Sequence, residues 1–159
     1  MNILQSKEGQ EGASHVPATP NTGEITARVQ ALMEQNVIAD ATDRMRVTEA
    51  LAFIAAPTDN IDEIKHHASK IGEVLSGYWM LQQDPPAEVD ALNWHMQHMA
   101  CSRYIAIVRQ GIAAGEHGET AVKDSMILAL SLAKTYASAN GDTTLLQQAT
   151  ELKEIMGQL

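Results

Sequence analysis

From residue 22 onward the apolar residues recur at intervals of three and four, and this spacing constrains the fold more than any other feature of the chain. The clearest run is Ile61, Ile64, Ala68, Ile71, Leu75 and Tyr78, which places six apolar groups on one face of a single helix. Asn60, with Glu63 three residues on, has the form of a capping box at its start. No strand-like alternation or hairpin dipeptide competes with this periodicity. The expected fold is therefore all-α, a compact bundle of about six helices with short connections.

The punctuation divides the chain. Pro17 and Pro20, set among Gln, Ser, Gly and Thr, make residues 1–21 an expected mobile tail, and residues 22–159 an expected single helical domain. Helix 1 is expected from Thr22 as cap to near Ile38, and helix 2 from near Thr42 to the residues before Pro57. Helix 3 should end before Asp84-Pro85-Pro86, with Asp84 capping helix 4 and Pro85 at its first position. Helix 5 is expected over Thr120–Ala139, with Val122, Met126, Ala129, Ala133 and Tyr136 turned inward, and Asn140-Gly141 stops it. Thr144 and Gln147 form a second candidate capping box, for helix 6.

Helix 4 differs from the rest. It carries two apolar stripes, Val89, Leu92, Met96, Ala100 and Ile107 on one and Trp94, Cys101, Ile105, Val108 and Ile112 beside it. A helix apolar over so much of its circumference needs cover on several sides, so it is expected to be the central helix or an oligomer contact.

Composition narrows the function classes. With 159 residues, 11 cations and 20 carboxylates, the chain has a formal charge of −9 and repels phosphate backbones and anionic headgroups, so neither nucleic acid nor membrane is an expected partner. The apolar step near Met1 has no basic region ahead of it, so a secretory signal is not expected. One cysteine, Cys101, excludes an internal disulfide and fits a reducing, cytoplasmic setting.

The chemistry-bearing side chains form two clusters. His95, His98 and Cys101 step by three along helix 4, and imidazole with thiolate is a zinc ligand set, although successive steps rotate the side chains away from one another. The competing reading makes His98 and Cys101 interior residues on the Trp94 stripe. On helix 3, Glu63 and His66 form half of the pattern that a di-iron carboxylate bundle requires, with His67 beside them, but Lys70 follows on the same face and no second half exists. His117 reads as a loop histidine. No nucleophile elbow, phosphate loop or dinucleotide fingerprint occurs.

Without a catalytic constellation, the chain reads as a non-enzymatic helical adaptor or assembly and secretion accessory, chaperone-like, acting by protein–protein binding and self-associating as a homo-oligomer. No cofactor is expected. The candidate partner-binding residues are Tyr78, Trp79, Met80, Trp94, Met96 and Met99, because flexible methionines and aromatics suit adaptable contacts. The alternative is a metal-binding bundle holding zinc or iron through His66, His67, His95, His98 and Cys101.

Overall fold

A computed structural model describes residues 22–137 and 139–159; the expected tail, residues 1–21, lies outside the described residues. Among the described residues the chain forms six α-helices and no strand: α1 (Thr22–Glu34), α2 (Ala41–Ala55), α3 (Ile61–Met80), α4 (Ala87–Ala113), α5 (Thr120–Leu132), which runs on into a π-helical turn (Ala133–Ala137), and α6 (Thr143–Gly157). The all-α bundle expected from the periodicity is what the chain adopts. No described helix is long and apolar enough to cross a membrane.

Helix α4 is the centre. It packs against α1, α3, α5, the π turn and α6, while α2 covers the far side of α1 and α3. Both of its stripes are used, with Leu92 and Met96 fully enclosed and Trp94, Cys101, Tyr104 and Ile105 buried against other neighbours. One continuous core joins all six helices, from Ile25 and Val47 through Ile71 and Leu92 to Ala129 and Leu145. The α4 and α5 backbones come close at Gly111 of α4, where an added Cβ would lie 2.5 Å from Val122 Cγ2 of α5.

Several ends differ from the sequence expectation, each for a local reason. Helix α1 stops at Glu34 because Asn36 adopts a left-handed turn (φ 58°) and the Val37 amide closes on the Leu32 carbonyl at 2.8 Å. Ile38 is still buried, in the link, where the Arg44 guanidinium donates to the carbonyls of Met33 and Ile38 at 2.9 Å each. Helix α4 starts at Ala87, not Pro85, and Asp84 does not cap it; Pro86 disfavours a helical Pro85, so the helix begins two residues later than expected. Helix α2 is capped by Asp40, which accepts from the Asp43 amide at 3.0 Å. Helix α6 is capped by Asp142, which accepts from the Leu145 amide at 3.0 Å, while Gln147 turns outward to Glu151, so the Thr144 box does not form. Asn60 does cap α3, accepting from the amides of Asp62 and Glu63 at 2.9 and 3.2 Å. The return bond of that box is relayed: Glu63 accepts from the Thr58 hydroxyl, and Thr58 accepts from the Asn60 amide.

The π turn corrects the expected burial of α5. Ala129, Ala133 and Ala137 are spaced by four, so in a regular α-helix they would drift around the axis; a wider turn takes up that drift and keeps all three fully buried. Tyr136, expected inside, is left half-buried.

The two sorts of helical glycine make opposite predictions. Gly111→Ala should lower stability by about 1–3 kcal/mol, because overpacking against Val122 outweighs the helix propensity gained. Gly77→Ala, whose Cβ meets nothing within 4 Å, should raise it by about 0.5–1 kcal/mol. Denaturant unfolding of both variants checks the pair of signs.

Candidate docking groove

Helices α3 and α5 flank α4 without packing closely on one another, so a groove runs between them with α4 as its floor. Its volume is about 510 Å³. Ala68, Ser69, Gly72 and Ser76 form the α3 wall, and their small side chains are what leave the space open. Trp79 continues that wall, and Leu128, Leu132 and Tyr136 form the opposite one. Trp79 is 59% exposed and Leu128 39%, so the groove has an apolar group standing out on each rim. On the floor, the Gln97 amide donates to Asn93 Oδ1 at 3.4 Å. That pairing leaves further carboxamide donors and acceptors facing the groove.

Charge at the groove is sparse. Glu73 is held by Arg46 of α2 at 2.8 Å and stands 3.8 Å from Lys70, and Lys65 lies at one end. Tyr104 is buried in the floor. The arrangement supplies shape, apolar surface and hydrogen-bonding groups beside the charges of Lys65 and Glu73.

The expected partner-binding residues divide. Trp79 and Met80 are exposed, Met80 at 83%, and with Leu81 they crown the tip of the α3–α4 hairpin. Tyr78 is half-buried against the core, where burial and then the charge of Asp43 push its phenol above the ordinary range. Met99 also packs against the core. Trp94 and Met96 are buried, which corrects their expected place on a docking face: they fill the space around α4. The groove residues that sequence reasoning passed over are Asn93, Gln97, Gly72 and Leu128. Small residues at 68, 69, 72 and 76, on the flank of the α3 stripe, were the available signal.

The histidines and the cysteine do not converge. His67 stacks on Phe53 of α2 with ring centroids 4.6 Å apart, and His66 meets His67 edge-on at 5.1 Å. His98 lies edge-on to Trp94 at 5.5 Å, and its Nε2 is 3.6 Å from the Asp142 carboxylate. Cys101 donates its thiol hydrogen to the Ala129 carbonyl at 3.3 Å. Among the described residues no group of three or more His, Cys, Asp or Glu side chains is placed to hold a metal ion. His67 turns toward α2, Cys101 toward α5 and His98 toward the Asp142 cap of α6, so these side chains do not meet at one point.

Compared with protein-family models, curated proteins and solved structures, the chain matches none.

Burial sets the titration behaviour. Desolvation, and then the Asp142 carboxylate, push the Cys101 thiol up to about 11. Cys101 should therefore resist a disulfide reagent in the native protein and react fully after denaturation; prompt native labelling would contradict the buried thiol. Desolvation, and then His98, hold His95 below the ordinary imidazole range, and desolvation followed by His66 does the same for His67. With their folded values below the unfolded one, the unfolded chain takes up protons first as the pH falls through about 6.5. Their contribution is complete above that pH and is lost as the pH falls toward the folded values. The raised carboxyls of Asp43 and Asp90 act in the opposite direction, at lower pH. Thermal unfolding between pH 7.5 and 5.5 should show a falling midpoint in the native sequence and a shallower fall in His95→Gln.

Proposed function

We propose that the protein is a non-enzymatic helical adaptor, an assembly or chaperone-like accessory of the cytoplasm, which seats a segment of a partner protein in the α3–α4–α5 groove and associates with its own kind. The supporting observation is the groove itself, about 510 Å³, walled by small side chains on α3 and by Leu128, Leu132 and Tyr136 opposite, and open between the exposed Trp79 and Leu128. Exposed aromatics at the mouth of a concavity act as anchors when a partner covers them. The small residues of α3 let a partner's backbone come close. Asn93 and Gln97 then meet that backbone with both donors and acceptors, so that its polar groups are not left unpaired in the floor. Recognition of this kind tolerates varied sequences, as a holding or assembly function requires. The single buried thiol suits a reducing compartment.

Gly72 supplies the test, because an added Cβ there meets nothing within 4 Å and points into open space. Gly72→Leu should fold normally and fill the groove; Trp79→Ala should remove one anchor. A protein retained by the immobilised native chain from extract of its own cell should be lost with both variants, by about tenfold or more for Trp79→Ala, the scale of an aromatic hot spot. Equal retention by Gly72→Leu would overturn the groove as the docking site.

A further inference from the structure

The outward face of α5 carries a second feature, which adjoins the α3–α4–α5 groove at Ser131. Ile127 is 66% exposed at its centre, and beside it a groove between α5 and α6 is lined by Met126, Leu130, Ser131 and Lys153. Lys134, in the π turn, forms one end of this groove, and Asp124, also exposed, precedes it by nearly three turns, the spacing 124, 127, 131 and 134 keeping all four on one face of the helix. Neither Lys134 nor Asp124 lies within ion-pairing distance of an opposite charge among the described residues. The face thus reads acid, apolar, small, base along its length. It is self-complementary in one orientation only.

We propose that two copies of the chain pack α5 against α5 in antiparallel fashion, with Ile127 of each seated beside Ser131 in the α5–α6 groove of the other, and Asp124 of each paired with Lys134 of the other. A two-fold axis at the level of Ala129 opposes residues equally distant on either side of it, which sets 127 against 131 and 124 against 134, twice. The two charged residues on one helix are ten positions apart, about 15 Å, so both ion pairs form at the ends of one apolar contact. A parallel arrangement would set Asp124 against Asp124 and Lys134 against Lys134. Ser131 is small enough to admit the Ile127 side chain of the other copy. The contact leaves Trp79, Asn93 and Gln97 uncovered. It rests on the self-association included in the proposed function and gives that association a surface.

Charge exchange tests it on the whole chain. Sedimentation velocity over a range of concentrations should show a monomer–dimer equilibrium for the native sequence. Lys134→Asp alone and Asp124→Lys alone should each weaken the dimer by about tenfold or more, as like charges then meet at both ends. Mixing the two variants should restore it, because one copy then carries two carboxylates and the other two ammonium groups at the opposed positions. Circular dichroism should stay unchanged, since both residues are exposed, and at dilutions where the native chain is monomeric the unfolding midpoints should coincide. A monomer at every concentration would overturn this contact and the self-association together. A dimer insensitive to either variant, or a mixture no tighter than its components, would overturn this contact and leave self-association to another surface.

Discussion

The structure depends on covering α4 from all sides. Its twenty-seven residues present apolar groups around most of the circumference, and such a helix is stable in water only when neighbours remove those groups from solvent. Five other elements are held in place by that requirement. The helices that share α4 as a neighbour need not touch one another, and where α3 and α5 fail to meet, a groove is the geometric consequence.

The same logic explains why the chemistry-bearing side chains are quiet. Cys101 and Trp94 belong to the covering of α4, and His98 is pinned between Trp94 and the Asp142 cap of α6. Burial pushes the Cys101 thiol up to about 11 and holds His95 and His67 below the ordinary imidazole range.

Much of the architecture was legible before any coordinates. The 3–4 spacing placed all six helices, Pro57 and Gly141 marked real breaks, Asn60 capped where its position required, and the double stripe identified α4 as central. The ends were harder, because helix termini are decided by competition among nearby groups of similar strength. Asp40 and Asp142 took caps that Thr42 and Thr144 could have supplied, and Asn36 turned left-handed with no glycine to announce it. The groove was less legible still. Trp79 and Trp94 look alike in sequence, yet one stands on a rim and the other is enclosed, since the phase of each residue relative to its neighbours is set by packing.

By itself the sequence determined the fold class, the order of the helices and the identity of the central one, because these follow from local periodicity and from the cost of exposing apolar surface. Only the tertiary structure decided which apolar residues stay outside, that His67 and His98 face different neighbours, and that α5 runs on into a π turn with Ala137 in the core. The physical reason is that a helix face has no fixed destination until a neighbour occupies it. The spacing of residues along one helix cannot say which of two faces another helix will cover.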